Sequence, residues 1–406
     1  MLNLYVIIFS FFLFFFCEKV FAIHSFGVIA DIEFQTRNSE KDSPQNANLN
    51  FFTFEQNWSG HQSKFIGQLR VFEYFKKQES GHSESLRHEI YPAEFNFAVN
   101  QGQHLFVLGY QNVFLTEGFN LIDMEIFHSR NSNISIFSSP EKLYYTSPGI
   151  SYKLIGETLS MQLFISRFDR TDKINDAQMQ ILKSSFGEAS SFPAFEFNKN
   201  NENDILIKMM GTSKSFDWSL YGARTLEKRL NFMWNPSTLE FSQVSLPFNS
   251  FGGGISVPVE KYIFRFDFQE NLNRNYVGQN NSTRPLNQVN YSLSLDRAVG
   301  KDANLVFVLG RSEVKSDFLL SNRESNILDL FVNLNYELNE KVSVDTSYFE
   351  RVDSQTYGLG LALNTKVLLN IELRYGFESF WAGPKSRLVW LDHEDKVYIG
   401  VKATTF

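Results

Sequence analysis

The sequence predicts an all-β protein, a transmembrane antiparallel up-and-down β-barrel of about 18 strands, with about 16 or 20 as alternatives. Many short segments alternate apolar and polar residues, compact polar turns separate several of them, and no apolar run of about 18 residues occurs. Because successive side chains of a strand point to opposite faces, each segment has one apolar and one polar face. Soluble β-sandwiches and propellers share this alternation and remain the alternative fold.

The alternation is clearest between Gln288 and Phe377. It runs through Val289–Asp296, Leu328–Tyr336 and Leu369–Phe377. The intervening polar stretches Leu338–Lys341 and Asn364–Lys366 are predicted to be turns, and they are too short to contain a crossover helix. The segments therefore form an antiparallel meander.

The N-terminal segment has the pattern of an export signal. An apolar run from Tyr5 to Phe16 is too short to span a bilayer and is followed by Ala22. We expect residues 1–22 to be a signal peptide cleaved after Ala22, with an uncleaved anchor helix as the alternative. The mature chain, residues 23–406, would then be a single outer-membrane barrel domain without cysteine, since Cys17 is the one cysteine. A large exported chain without disulfides favours a bacterial envelope.

Composition supports a barrel and argues against one class of partner. The chain has 43 Phe among 406 residues, yet its mean hydropathy is -0.23. Lipid-facing residues alternating with a polar lumen reconcile these two values. The net charge of -7 argues against nucleic acid as a partner. The expected partners are outer-membrane lipid and the outer-membrane assembly machinery, and a homo-oligomer is left open.

Short turns alternate with long loops along the rest of the chain. Two long loops are expected at about 115–148, either extracellular or folded into the lumen, and at about 169–203, with a short helix at Asp176–Lys183. The predicted strands are 26–34, 49–58, 63–74, 91–99, 105–113, 149–155, 159–165, 205–212, 216–222 and 262–268, with weaker signals at 229–234, 239–246 and 255–259.

The C-terminal strand ends on an aromatic residue. Val397, Ile399, Val401 and Ala403 recur at alternate positions, and Phe406 is the last residue given. Phe406 lies on the opposite parity from these four, so a local bulge is needed to place it on their face. A terminal aromatic residue after such a strand is a signal for outer-membrane assembly. An even number of strands places both termini in the periplasm, so Arg387–Leu391 is assigned to the last external loop.

Three segments, Leu108–Val113, Glu117–Asp123 and Tyr145–Tyr152, resemble a group of Gram-negative outer-membrane barrels of poorly defined function. In that group a Gly-x-Gln strand, here Gly109 and Gln111, leads into a Trp-Gly turn, an Asp and an Asn-Pro step. Leu115-Thr116 and Phe127-His128 stand where the Trp-Gly and Asn-Pro pairs would be. The resemblance implies a structured inward loop and passage of a small or lipidic substrate. From the residues alone, Gly109 is equally explained as a glycine at a crowded point of a strand.

No catalytic, cofactor or metal site is predicted, and the protein is expected not to be an enzyme. The histidines fall mostly in predicted turns or loops and lack metal-ligand spacing: His24, His61, His82, His88, His104, His128 and His393. Gly252–Gly254 lacks the Lys and helix of a phosphate loop and is interpreted as a bend or a point of close packing.

Charged residues on the polar faces of predicted strands are the candidates for lining the lumen. They are Glu94, Lys153, Arg265, Asp267, Asp296, Asp329, Asp345, Glu372 and Arg374. Opposite charges two residues apart, as in Arg265 and Asp267 or Glu372 and Arg374, can form transverse ladders in a pore. Alternatively they neutralise one another and stiffen the wall. Since both signs occur, weak ion selectivity is expected.

These observations favour a porin-like channel in the outer membrane for small solutes or a lipidic substrate, with long loops narrowing the path. The alternative is a non-conducting barrel whose external loops serve surface binding or adhesion. An outer-membrane hydrolase is disfavoured, because the sequence offers no nucleophile with a base and an orienting group.

Overall fold

The structure is a computed structural model, and it describes residues 25–38, 48–59, 62–77, 84–115, 124–128, 130, 137, 144–167, 202–228, 232–235, 240–243, 245–277, 283–314, 326–383 and 395–405. Within these ranges, no helix has the length and apolar character needed to cross a membrane.

In the described ranges the chain forms twenty strands, eighteen of them in one antiparallel sheet. The other two, β10 and β11, form a separate hairpin between β9 and β12. The strands are β1 (Ser25–Asn38), β2 (Asn48–Ser59), β3 (Ser63–Lys77), β4 (Glu84–Gln101), β5 (His104–Gln111), β6 (Ser147–Ile155), β7 (Leu159–Arg167), β8 (Asn203–Thr212), β9 (Asp217–Leu226), β10 (Phe232–Asn235), β11 (Glu240–Gln243), β12 (Pro247–Val259), β13 (Tyr262–Val277), β14 (Thr283–Val299), β15 (Ala303–Val314), β16 (Asn326–Asn339), β17 (Val342–Arg351), β18 (Thr356–Leu368), β19 (Ile371–Trp381) and β20 (Asp395–Thr405).

The large sheet closes on itself. Each strand pairs with the next along the chain, and β9 pairs with β12 past the small hairpin. The last strand pairs with the first, from Val28 opposite Thr405 to Asn38 opposite Asp395. Because no edge strand is left unpaired, the sheet is an up-and-down β-barrel, and the predicted fold class is confirmed.

The two rims of the barrel differ in the length of their connections. One rim carries tight turns, as between β12 and β13 or β16 and β17, while the other carries the long connections between β5 and β6, β7 and β8, and β9 and β12. The described start of β1 and end of β20 lie at the rim with the tight turns. This asymmetry is typical of transmembrane barrels, whose short turns face the periplasm.

The outer face of the barrel is apolar. Leu108, Ile150 and Leu220 are 57–60% exposed. The alternate residues point inwards, and among them Ser151 and Ser292 are at most 4% exposed. An apolar surface that extends over β4 to β9 and β12 to β20 far exceeds the patches that soluble monomers expose. The alternation of the sequence therefore separates an oily exterior from a more polar interior.

Three sequence expectations need correction. Asn364–Lys366 is not a turn but lies inside β18, where Asn364 is opposite both Ser343 and Arg374. The turn comes later, at the fully exposed Leu369, so β19 starts at Ile371. The segments at 229–234 and 239–246 contribute only β10 and β11, which lie outside the barrel sheet.

Several expectations concern residues outside the described ranges. They are the signal peptide at 1–22, most of the long loop at 169–203 with its short helix, the segment Arg387–Leu391 and the terminal Phe406.

Candidate functional site

Residues 112–146, here called the inward segment, connect β5 to β6, and the described ones among them, 112–115, 124–128, 130, 137 and 144–146, include residues that lie inside the barrel. Their described residues Val113, Leu115, Ile126 and Phe127 form one buried apolar cluster with four inward side chains of the wall. These four are Phe164 of β7, Leu206 of β8, Tyr221 of β9 and Phe248 of β12. Of the two locations predicted for this loop, the described residues occupy the lumen.

The same segment also contacts the opposite wall. The Phe137 ring stacks on Phe380 of β19, with 5.3 Å between centroids, and lies 6.3 Å from Phe331 of β16. Gly358 and Gly360 of β18 leave room for it, since a Cβ added at either would lie 3.0–3.1 Å from the ring. In a ring of eighteen strands β18 is diametrically opposite β7. The inward segment therefore crosses the lumen.

The inner face of the barrel is thus not polar throughout. The inner wall carries apolar residues on two sides, including Val308, Phe331 and Phe349, which are at most 2% exposed. They are covered by the inward segment rather than by lipid or water. Some of the Phe residues therefore pack inside the barrel, although the composition of the chain suggested that they face lipid.

Polar contacts fix the height of the segment in the barrel. The Gln269 side chain of β13 donates to the Met124 carbonyl at 2.9 Å. The Thr225 hydroxyl oxygen lies 3.4 Å from the Ile126 carbonyl oxygen, and Lys208 Nζ donates to the Phe114 carbonyl at 3.2 Å. Because strands β8, β9 and β13 all hold its backbone, the described middle of the segment is docked on the wall.

The Gly-x-Gln pair lies where β5 leads into the inward segment. Gly109 has a φ of +127°, and a Cβ there would lie 2.2 Å from the Phe95 carbonyl oxygen, so only glycine fits. The Gln111 side chain donates to the Gly149 carbonyl at 3.0 Å and accepts from the Ser151 hydroxyl at 2.7 Å. These contacts tie the end of β5 to the start of β6, below the inward segment.

Two titratable residues, Glu125 and His128, are buried in the turn of the segment. Glu125 Oε1 accepts from the backbone N–H groups of Phe127 at 2.7 Å and His128 at 3.2 Å. Burial nevertheless raises the pKa of Glu125 from 4.5 to about 7. Burial, assisted by the nearby Lys228 charge, lowers the pKa of His128 from 6.5 to about 3. The imidazole is therefore neutral at neutral pH.

The His128 ring holds the two ends of the segment together. Its Nε2 lies 2.8 Å from the Val113 backbone nitrogen, and its Nδ1 lies 3.3 Å from the Ser147 hydroxyl. Since the Val113 N–H donates to Nε2, the proton of the neutral ring is on Nδ1. Ser147 is 3% and His128 1% exposed, so this Ser–His contact is a structural clasp inaccessible to a substrate.

The two shifted pKa values predict opposite pH dependences for docking of the segment. Because the pKa of Glu125 is raised, the protonated carboxyl favours the docked state. This contribution to docking is complete below pH 4.5 and is lost as pH rises through about 7. The lowered pKa of His128 stabilises docking above pH 6.5, and this contribution is lost as pH falls towards 3. Between pH 4.5 and 6.5 the contributions of Glu125 and His128 to the free energy of docking change in opposite directions with pH and offset each other in the wild type.

The substitution Glu125→Gln is therefore expected to make docking acid-labile. With only the His128 slope left, the free energy of docking falls by about 1.4 kcal/mol per pH unit below 6.5, or about 3 kcal/mol by pH 4.5. Hydrogen exchange of the Phe127 and His128 amides, corrected for intrinsic rates, measures it. The double variant Glu125→Gln/His128→Gln should be flat with pH. Equal profiles for wild type and Glu125→Gln would contradict the prediction.

Two buried ion pairs hold the rim above the segment. Asp204 is fully buried at the start of β8 and accepts from Lys228 Nζ at 2.5 Å, from Thr225 Oγ1 at 2.7 Å and from the Leu226 N–H at 3.0 Å. Lys228 is 5% exposed. This pair joins the start of β8 to the residues that follow β9.

The second pair is bidentate. Arg274 of β13 donates from Nε and Nη2 to the two carboxylate oxygens of Glu227 at 2.5 and 2.6 Å, and both residues are at most 2% exposed. Arg274 also donates to Gln288 at 2.7 Å and lies 4.9 Å over the Phe248 ring. It therefore ties the residues after β9 to strands β12, β13 and β14.

The nine charged residues singled out from the sequence lie on the strand faces opposite the exposed apolar residues. Asp267 and Asp329 are buried, and the other seven are partly exposed. Asp329 forms a bidentate ion pair with Arg351 across β16 and β17, at 2.7 and 2.8 Å. The Lys153 ammonium lies in the field of Glu94.

Pairing among these residues runs across strands rather than along them. Arg265 bonds Asp296 on the neighbouring strand, not Asp267 two residues away. Asp345 accepts from Asn364 Nδ2 at 2.6 Å, and Arg374 Nε donates to Asn364 Oδ1 at 3.2 Å. In the described structure, opposite charges therefore meet as single pairs, as Arg265 and Asp296 do, or are bridged by an amide, as Asp345 and Arg374 are by Asn364.

Sequence reasoning missed the residues that organise the inward segment. Glu125, His128, Asp204 and Lys228 fall in or beside predicted loops, where a charge usually signifies a solvated surface. The sequence gives one indication of two of them, since Asp204 lies just before the predicted strand 205–212 and Lys228 just before the predicted strand 229–234. In the described ranges, no group of three or more His, Cys, Asp or Glu side chains could hold a metal ion.

Known proteins share the fold of this chain but not its sequence. No model of a known protein family matches it, and no curated protein does. Acinetobacter baumannii OccAB1 superposes with a TM-score of 0.58 at 8% identity, covering 94% of this chain and 96% of that one. Pseudomonas aeruginosa OccK8 (OprE) gives 0.56 at 9% identity, with coverage of 94% and 98%. Acinetobacter baumannii OccAB3 gives 0.53 at 11% identity, also with coverage of 94% and 98%. At these identities the likeness concerns the fold.

Proposed function

We propose that this protein is an outer-membrane channel through which small water-soluble solutes pass, and that the inward segment sets the width of its lumen. The observation that supports this most is the closed barrel itself, apolar outside and with charged and amide side chains on its inner face. A barrel of about 18 strands is wide enough to hold water around an inserted loop. Solved structures such as OccAB1 share this barrel over nearly their whole length.

The inner wall favours polar over lipidic solutes. Below the segment it presents Arg265, Asp296, Asp345 and Arg374, all partly exposed. Among the described residues, the two larger apolar clusters of the inner wall pack against the segment and are not open to the path. A water-soluble solute of small size therefore fits this lumen better than a lipid does.

The role of the nine charged residues as lumen lining is part of this proposal. Their pairing supports weak ion selectivity, since Arg265 lies beside the acidic Asp296 and Arg374 beside the Asn364 amide. We expect reversal potentials in a tenfold salt gradient to stay within roughly 20 mV of zero, well below the Nernst limit. A potential near that limit, for either sign of ion, would contradict the prediction.

A second candidate is a non-conducting barrel used for surface binding or adhesion. The observation that favours it is the segment crossing from β7 to β18, which fills part of the lumen. Conductance in planar bilayers and liposome swelling separate the two functions. A folded protein, verified by its altered mobility in unboiled gel samples, that neither conducts nor swells liposomes would favour the second.

An outer-membrane channel must be exported and inserted into its membrane. Residues 1–22 act as the signal peptide, cleaved after Ala22, and residues 23–406 form one barrel domain. The chain is inserted by the assembly machinery into outer-membrane lipid, with self-association left as an alternative. No enzymatic activity is proposed for this protein. N-terminal sequencing of the mature protein and membrane fractionation test these points.

A further inference from the structure

The outer face of the barrel has a groove where β8, β9, β12 and β13 lie side by side. Its volume is about 670 Å³, within the range of about 300–1,000 Å³ that is usual for ligand sites. Outward apolar side chains that are 40–57% exposed line it, among them Ile207, Leu220, Phe251, Ile255 and Phe266. The groove is therefore open to whatever surrounds the barrel.

Two glycines form the floor of the groove. Gly222 of β9 lies between Ile207 and Phe251 of the neighbouring strands. Gly253, two residues after Phe251 on β12, lies opposite Leu220. A Cβ added at Gly222 would meet no atom within 4 Å, and one at Gly253 would lie 2.8 Å from a Leu220 methyl carbon. The missing side chains therefore leave a diagonal notch in a surface of bulky residues.

The end of the groove towards the rim with the long connections is polar. Arg224 follows Gly222 on the same face of β9, and its cross-strand partner on β12 is the exposed Asn249. Residues two apart on a strand are about 7 Å apart, so the Arg224 side chain is within reach of the open end of the notch. On β9 and β12 the apolar band of the outer face ends at this row, which is the level of lipid headgroups in a transmembrane barrel.

Charges of both signs surround Arg224. Its Nη2 lies 3.6 Å from Glu202 Oε2, and both side chains are about half exposed, so this ion pair is weak. Two strands away on either side, β7 carries the exposed Arg167 and β13 the partly exposed Glu270. Since a guanidinium has five N–H donors in a planar fork, Arg224 can bind two phosphate oxygens while Glu202 stays beside it.

The groove and the cation at its end define the chemistry of the occupant. Outward apolar residues of a transmembrane barrel face hydrocarbon, so the notch accepts a chain of methylene groups, and the guanidinium matches a phosphate. A second copy of the barrel is a poorer match. Ile207, Leu220 and Phe251 rise on both sides of the notch and keep another convex wall from its floor.

We propose that this groove binds one phosphate-bearing membrane lipid. An acyl chain lies along Gly222 and Gly253, and the lipid phosphate accepts hydrogen bonds from the Arg224 guanidinium. Because Arg224 lies towards the rim with the long connections, the lipid belongs to the outer leaflet. The inference rests on the proposed location in the outer membrane and is independent of conduction.

The test uses the whole folded chain, freed of lipid in detergent and measured by native mass spectrometry with added lipids. One copy of dimyristoyl phosphatidic acid should bind at least about tenfold more tightly than dimyristoylglycerol, which has the same chains without the phosphate. Arg224→Gln should remove most of this difference and leave binding of dimyristoylglycerol unchanged. Gly222→Leu should weaken binding of both lipids several-fold, because the leucine fills the notch where a Cβ meets no neighbour.

Two matched controls lie on the outer face away from the groove. Arg311→Gln removes an arginine of β15 that is 58% exposed, and Thr346→Leu adds a leucine at an exposed position of β17. Both should bind the two lipids like wild type, and mobility in unboiled gels verifies that each variant is folded. Equal affinity of the wild type for the two lipids, or wild-type affinities in both Arg224→Gln and Gly222→Leu, would overturn the site.

The same spectra identify other occupants. Inorganic phosphate at the concentration of the lipid should not displace it, and displacement would show that the acyl chain contributes nothing. A wild-type dimer that forms without lipid and is lost in Gly222→Leu would show that the groove holds a second copy instead. Conductance is a separate measurement: a conducting protein without the lipid preference would refute the site and retain the channel, and a non-conducting protein with the preference would do the opposite.

Discussion

Replacing residues 112–146 with a short Gly-rich turn is expected to raise single-channel conductance several-fold. The replacement is geometrically simple, because Gln111 and Ser147 are direct cross-strand partners that a tight turn can join. The segment now crosses from the β7 side to the β18 side, so its removal leaves the lumen open between them. Conductance in planar bilayers measures the effect, and mobility in unboiled gels verifies folding.

A single substitution should give an intermediate result. Phe137→Ala removes the ring that stacks on Phe380, so it loosens only the contact at β18 and should raise the mean current or its fluctuations by less than the replacement does. The control is Phe106→Ala, since Phe106 is 48% exposed on the outer face. A folded replacement variant with wild-type conductance would show that the inward segment does not limit the path.

The second large effect is expected at the rim, where Asp204→Ala should lower the free energy of unfolding by about 3–5 kcal/mol. The substitution leaves Lys228 buried without this carboxylate and also removes the acceptor of Thr225 Oγ1 and of the Leu226 N–H. Urea unfolding in detergent micelles, followed by tryptophan fluorescence, measures the change.

Two further variants identify the cause. Asp204→Ala/Lys228→Met removes both charges, and it should recover part of the loss because no isolated buried cation remains. Glu202→Gln breaks the Arg224–Glu202 pair, whose side chains are 55% and 47% exposed and 3.6 Å apart, and should cost at most about 1 kcal/mol. Equal effects of Asp204→Ala and Glu202→Gln would contradict a special role for the buried pair.

The alternation of Val289–Asp296 and Leu328–Tyr336 was sufficient to predict strands and the direction in which their side chains point, since a period of two is a local property. It failed at Asn364–Lys366, where an amide-rich stretch typical of turns lies inside β18. Asn364 is there because it bonds Asp345 and Arg374 across two neighbouring strands, contacts that no local pattern reveals.

The candidate site was only partly predictable for the same reason. The alternation of apolar and polar residues placed Arg265 and Asp296 on the inner face, but their ion pair depends on the register between β13 and β14. Glu125 and His128 carry no periodic signal, because they lie in an irregular segment. Their burial follows from the contacts that the segment makes with β8, β9 and β13.

Local alternation and turn chemistry by themselves determined that this chain forms antiparallel strands with one oily and one polar face, in about the number observed. Tertiary structure alone decided that the sheet closes between β20 and β1, that described residues of the inward segment contact opposite sides of the interior, and which charges meet. The physical reason is distance along the chain. The face of a strand is set by neighbouring residues, whereas closure, register and docking depend on contacts between residues that can be hundreds of positions apart.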